Sequence, residues 1–237
     1  MGHEIRREGP ARDPALPTVP GLELAARYRP ARPGAQVGGD WYDALALPSG
    51  TTLVIGDVAG HDGGAADQMG HLRAILRAIA VDRQAPSELL GRLDRANLGV
   101  GPGAVATALV AHLDPIGAAG ARLTWSSAGH YAPVVVCPDG RAGQLTGRSD
   151  LLLGVDGRAP RTDHVTAVLG RATLLLFTDG LVELRGRSVA ERLAGLCAAA
   201  SRAASQPLDV LLDAVLAAMA HAGEPDDVAV LAARPVG

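Results

Sequence analysis

Along the chain, apolar positions alternate, run together, or recur at every third and fourth residue, and these rhythms divide it into elements. Gly21 to Tyr28 alternates and predicts a first strand. Arg29 to Gly34, with two prolines, predicts a loop. Val37 to Leu47, the turn Pro48-Ser49-Gly50 and the run Thr51 to Ile55 predict a hairpin. Ala65, Met69, Leu72, Leu76 and Ile79 step by four and three, predicting a helix from about Gly64 to Val81. Pro86-Ser87-Glu88 opens a second helix carrying Leu89, Leu90, Leu93 and Ala96. A flexible loop, Gly99 to Gly103, follows. Val105 to Leu113 and Arg122 to Ser127 flank the turn Asp114-Pro115 as another hairpin. Ala128-Gly129-His130 is a corner, Pro133 to Cys137 a strand, Pro138-Asp139-Gly140 a turn, and Leu151 to Val155 a short apolar run. Val165 to Leu169 and Thr173 to Phe177 predict strands, and helices follow near 188–203 and 207–222. Asp227 to Ala233 is the last strand. Many antiparallel strands with two inserted helix pairs place the chain in the α+β class. The β-α-β alternation of a nucleotide-binding sheet, a G-x-G-x-x-G stretch and a Walker sequence are all missing.

The 237 residues suit one large domain or two small ones. Residues 1 to about 20, rich in Arg, Pro and Gly, read as a flexible tail or linker remnant, leaving 21–237 as the folded unit. Aromatic residues are only 3%, so the core must be built from Leu, Val and Ala. A net charge of −3 gives no electrostatic reason to expect nucleic acid or an anionic membrane as partner. Cys137 and Cys197 have no metal-type spacing and read as small core hydrophobes in a reducing compartment. No stretch is long enough to span a membrane and no signal-peptide core opens the chain, so the expected location is cytoplasmic.

The candidate chemistry lies in acids at strand ends. Asp57, in Gly56-Asp57-Val58-Ala59-Gly60-His61, leaves the strand that ends at Ile55, and Asp40, in Gly38-Gly39-Asp40, enters the strand before it. In a hairpin those two ends lie side by side. Asp179 ends the strand Leu174 to Phe177, and Asp226-Asp227 opens the last one. If these strands share a sheet edge, the acids converge. Clustered carboxylates without lysine suit hard, oxygen-loving ions, Mg²⁺ or Mn²⁺ before Zn²⁺. A carboxylate bridging two ions would make a site for phosphoester hydrolysis, and Asp57, flanked by glycines and next to the Val58 carbonyl, fits that bridge. Asp43, Asp114 and Asp139 read as turn or surface acids. Trp41 and Tyr42 read as packing residues. His61 and His130 read first as structural; of the two, His61 is nearer a proposed ligand and is the candidate for orienting phosphate or protonating a leaving oxygen.

These motifs appear in an ordered set. Gly38-Gly39-Asp40-Trp41-Tyr42-Asp43 and Gly56 to His61 are followed by Ser127-Ala128-Gly129-His130 and Leu152-Leu153-Gly154-Val155. Phe177-Thr178-Asp179-Gly180-Leu181-Val182-Glu183 and Pro225-Asp226-Asp227-Val228-Ala229-Val230 complete it. Over about residues 20 to 235 the chain resembles the SpoIIE/RsbU-type phosphatases, the bacterial branch of the type 2C metal-dependent protein phosphatases. The resemblance implies a sandwich of two antiparallel sheets flanked by helix pairs. It implies Mn²⁺- or Mg²⁺-dependent serine/threonine phosphatase activity with two ions, held by Asp40, Asp57, the Val58 carbonyl, Asp179 and Asp226, with Asp227 the weaker of its pair. It implies a phosphorylated STAS-domain anti-sigma-factor antagonist as substrate, and a homodimer is plausible by family. Two positions depart from the family pattern: Asp62 stands where glycine is usual, and Leu184-Arg185-Gly186-Arg187-Ser188 is basic where relatives often carry acids. The alternatives are a phosphatase fold that binds an anti-sigma or STAS partner without turnover, and a phosphatase of small phosphoesters.

Overall fold

In a computed structural model, residues 16–31, 38–47, 50–60, 63–82, 84–99, 103–116, 120–220 and 226–236 are described. Asp40–Leu47 (β2) and Gly50–Val58 (β3) pair antiparallel from Leu47↔Gly50 to Asp40↔Asp57. That is the predicted hairpin, and its register sets the two acids directly opposite. Ala106–Pro115 (β4), Gly120–Ala128 (β5) and His164–Leu169 (β8) complete a five-stranded sheet in the order β2-β3-β4-β5-β8. The second sheet uses Leu22–Arg29 (β1), Val134–Val136 (β6), Ala142–Gln144 (β7), Thr173–Phe177 (β9) and Val228–Pro235 (β10), ordered β1-β10-β9-β6-β7. Every pairing within the two sheets is antiparallel.

The sheets pack face to face, and strand alternation decides which side chains meet. Leu53 and Ile55 of β3, Leu174 and Leu176 of β9, and Ala229 and Leu231 of β10 share the central layer. The intervening residues face outward, yet they are buried too. Val54 and Val110 lie under the helices Gly63–Ile79 (α1) and Pro86–Gly99 (α2), against Leu72, Leu76, Leu90 and Leu93. Leu175, Phe177 and Val230 lie under Val189–Arg202 (α3) and Leu208–Met219 (α4), against Leu196, Leu211 and Leu212. Cover on both faces is why these antiparallel strands read as continuous apolar runs. The result is the α+β sandwich with flanking helix pairs that the motif resemblance implies. Among the described residues, no helix is long and apolar enough to cross a membrane.

The structure corrects two sequence expectations and adds a strand. Asp114-Pro115 is not the turn; both residues belong to β4, and Ile116 N–H donates to the Gly120 carbonyl across the true reversal. Asp43 is neither a turn nor a surface acid: it lies inside β2, 4% exposed, between Arg73 and Arg77 of α1. Strand β7 has no counterpart in the apolar pattern, being three residues long with a central glycine. Asp139 does sit in an exposed turn, paired with Arg141. Residues 1–15 lie outside the described residues, while Leu16 packs on the central core.

Candidate metal centre

One end of the sandwich gathers the acids. Asp40 starts β2 and Asp57 lies next to the end of β3, so the hairpin delivers both. Asp179 follows β9 at the head of a single 3₁₀ turn, Asp179–Leu181. Each of these three offers a carboxylate oxygen, and the oxygens lie within 4.8 Å of one another. The acids do not share a sheet edge, as the sequence suggested. Asp40 and Asp57 come from one sheet and Asp179 from the other, and the face-to-face packing brings them together.

Thr178, just before Asp179, locks the junction. Its hydroxyl donates to Asp40 Oδ2 at 2.7 Å and accepts from Ala229 N–H at 2.8 Å, tying β2 to β9 and β10. Sequence reasoning missed this residue. Its one local signal is a hydroxyl beside a strand-end acid, and its partner Asp40 is 138 residues away. His130 makes a second tie. Nε2 lies 3.1 Å from the Phe177 carbonyl and Nδ1 2.7 Å from Thr107 Oγ1. A carbonyl only accepts, so Nε2 carries the proton and Nδ1 accepts from the threonine. Burial pushes the His130 pKa down to about 4, which keeps the ring neutral. His130 is therefore a structural residue bridging β4 and β9.

Electrostatically the centre is under tension. Burial, then the charge of Asp57, holds the Asp40 carboxyl well above the usual carboxylate range. Burial, then Asp179 and Asp226, pushes Asp57 up to about 7. Burial, then Asp226 and Glu183, pushes Asp179 up to about 6. Among the described residues, no salt bridge reaches Asp40, Asp57 or Asp179.

The remaining predicted ligands are placed differently. Asp226 is exposed; it acts on Asp57 and Asp179 by charge, and its Oδ1 accepts from Asp227 N–H at 2.9 Å, but it is outside the close triad. Asp227 is 8% exposed and its Oδ1 accepts from Ala31 N–H at 2.8 Å. His61 and Asp62 lie outside the described residues.

A divalent cation suits this donor set. All donors are oxygens, as Mg²⁺ and Mn²⁺ require. Asp179 Oδ1 is buried without a hydrogen-bond partner. Gly39 leaves the Val58 carbonyl and the Asp57 carboxylate open: a Cβ there would lie 2.4 Å from Val58 O and 3.0 Å from Asp57 Oδ1.

Comparisons with known proteins bear on the family and the fold. A family model described as stage II sporulation protein E (SpoIIE) matches residues 48–236. The RsbU and RsbW domains of a Mycobacterium tuberculosis protein share 34% identity and a TM-score of 0.82, over 94% of this chain and 63% of that one. This chain therefore spans less than two thirds of that relative. The SiaA-PP2C domain of Pseudomonas aeruginosa has a TM-score of 0.71 at 21% identity, covering 88% of this chain and 83% of that one. RsbX, solved in complex with magnesium, has a TM-score of 0.68 at 12% identity, covering 91% of this chain and 96% of that one. The last two likenesses speak to the fold.

Proposed function

The chain belongs to the SpoIIE family, and from that premise we propose that it is a Mn²⁺- or Mg²⁺-dependent phosphatase of phosphoserine or phosphothreonine in a protein. The observation that carries the reading is the convergence of Asp40, Asp57 and Asp179 from two sheets, with a buried oxygen of Asp179 left unpartnered. Asp40, Asp57 and Asp179 would hold the metal, with the Val58 carbonyl and Asp226 completing the set. Bound ions of this kind supply Lewis acidity, a more acidic water and charge neutralisation at a phosphoryl group.

The chain's own part is to hold its acids close together and aimed. Thr178 Oγ1 donates to Asp40 Oδ2, so one oxygen of that carboxylate is fixed in direction. The β2–β3 register fixes Asp57 against Asp40. Gly39 keeps side-chain atoms away from the Val58 carbonyl. Neutral His130 holds the two sheets at the spacing the acids need, without adding positive charge. Asp227, bound to Ala31 N–H, fits support of the site better than ligation.

The finer reading names a phosphorylated STAS-domain anti-anti-sigma protein as the substrate. Its support is the motif set and the likeness to a structure that contains RsbU and RsbW domains. A cytoplasmic location and a homodimer belong to the same reading, as does the 21–237 domain boundary. The deciding experiment is phosphate release from a phosphoserine STAS protein with Mn²⁺, followed by EDTA. Release that needs Mn²⁺ and stops with EDTA is expected. No release at any Mn²⁺ concentration from folded protein would overturn the phosphatase reading in favour of a binding module.

A further inference from the structure

The basic stretch after Glu183 has no role in the site described so far. Arg185 and Arg187 sit on a turn closed by Arg187 N–H to the Leu184 carbonyl at 3.0 Å, with Gly186 at φ +78°. The left-handed backbone at Gly186 lets the turn reverse within so few residues. Both arginines line a cavity of about 440 Å³ whose other walls include Asp179 and Asp226. The turn thus stands at the mouth of the metal centre.

Two features mark it as more than a solvated surface run. First, among the described residues, neither guanidinium has an ion-pair partner, although Glu183 lines the same cavity. The Glu183 carboxylate is engaged elsewhere, accepting from Tyr131 Oη at 2.6 Å. Second, α3 begins at Val189 in the wall of the same cavity, and Ser188 at its N-cap makes no side-chain capping bond. The partial positive charge of that helix end adds to the two arginines. A second cavity, about 660 Å³, shares Asp179 and Glu183 with the first and is walled by Tyr131, Gln144, Thr146 and Ser149. The two cavities meet at Asp179 and Glu183; the first sets Arg185 and Arg187 opposite Asp179, Glu183 and Asp226, and apart from the two shared acids the second is lined by neutral groups.

We infer that Arg185 and Arg187 bind an acidic side chain adjacent to the phosphorylated residue of the protein substrate, while the chain on its other side lies in the second cavity. This rests on the phosphatase reading and deepens it, because it assigns a sequence preference to the same site. Guanidinium groups suit carboxylates through paired, charge-assisted hydrogen bonds, and their exposure leaves them free to meet an incoming chain.

The test uses two phosphoserine peptides that differ only in their flanks, Asp/Glu in one and Asn/Gln in the other. The ratio of kcat/KM for the two is measured with Mn²⁺ for the wild type and for Arg185→Ala/Arg187→Ala. Affinities of labelled, non-hydrolysable versions are measured by fluorescence anisotropy. The wild type is expected to favour the acidic peptide about tenfold in both measurements, as for a pair of charge-assisted contacts. The double variant should bring that ratio close to one, and Arg185→Lys/Arg187→Lys should restore part of it. A wild type without preference, or a preference that survives the double alanine change, overturns the inference. If the wild type hydrolyses neither peptide, phosphate release from the STAS protein decides the phosphatase reading, and the anisotropy ratio alone decides the role of the arginines.

Discussion

Asp57 shows the conflict between burial and charge most directly. Its pKa is pushed up to about 7 by burial and by the charges of Asp179 and Asp226, so near neutral pH its ionised form is held against a gradient that a cation would relieve. Asp57→Asn keeps the shape and removes the charge; turnover on a phosphoprotein should fall by about 100-fold or more, with the far-ultraviolet circular dichroism unchanged. Wild-type turnover in that variant at saturating Mn²⁺ would show that the bridging assignment is wrong. Thr178 is buried and serves two strands. Thr178→Val leaves Asp40 Oδ2 and Ala229 N–H without this partner and should cost about 1–3 kcal/mol in urea unfolding. The acids themselves were legible in the sequence, because a strand-end Asp beside glycines is a local pattern. Thr178 was not, because its role is set by Asp40, 138 residues away. Asp43 was misread for the same reason: its arginines lie 30 and 34 residues downstream.

Helix α1 is fastened to strand β2 by that acid. Asp43 accepts from Arg73 Nε at 3.1 Å, and from Arg77 Nε at 2.7 Å and Nη2 at 3.1 Å. The acid side chain is 4% exposed, the arginines 28% and 52%. This asymmetry predicts unequal costs. Asp43→Ala frees two arginines that can extend into water, and should cost about 1–2 kcal/mol. Arg73→Ala/Arg77→Ala strands a buried carboxylate and should cost about 3 kcal/mol or more. Chemical denaturation midpoints decide it; equal losses would mean that the pairs act as surface salt bridges. At this scale the long elements were legible. Helical spacing set α1 to within two residues at its C-terminal end, and two apolar runs about a turn located the β2–β3 hairpin and the nearness of its two acid-bearing ends. Strand β7 escaped because pairing with β6, not an apolar rhythm of its own, makes it a strand. The β4–β5 reversal was placed too early because Asp-Pro is a turn signal that here is overridden by pairing: Asp114 faces Arg122 and Pro115 faces Ala121.

For the whole molecule, stability and metal binding are linked through the acids, and the sign can be worked out. Asp57 and Asp179 have folded-state pKa values near 7 and 6, above the ordinary 3.8. Their contribution to metal-free stability is fully present below about pH 3.8 and is lost as pH rises through 6 and 7. His130 runs the other way. Its folded value near 4 is below the ordinary 6.5, so its contribution is present above 6.5 and is lost as pH falls towards 4. The two slopes oppose each other between pH 4 and 7, so the wild-type profile alone does not separate them; a difference between variants does. In EDTA, Asp57→Asn should melt at the same temperature as the wild type near pH 4 and higher at pH 8, because it removes a charge that costs stability only when ionised. With Mn²⁺ the order should reverse. Ligand bound only by the folded state raises stability by mass action, about 2.7 kcal/mol at a hundred times Kd. The wild type should gain that shift at pH 8, where its acids are ionised, and less at pH 5, where protons compete with the cation. Asp57→Asn should gain little at either pH. If Mn²⁺ raised the melting temperature of both proteins equally, the cation would be binding somewhere other than between the two sheets, and the account of the centre given by Asp40, Asp57 and Asp179 would fail.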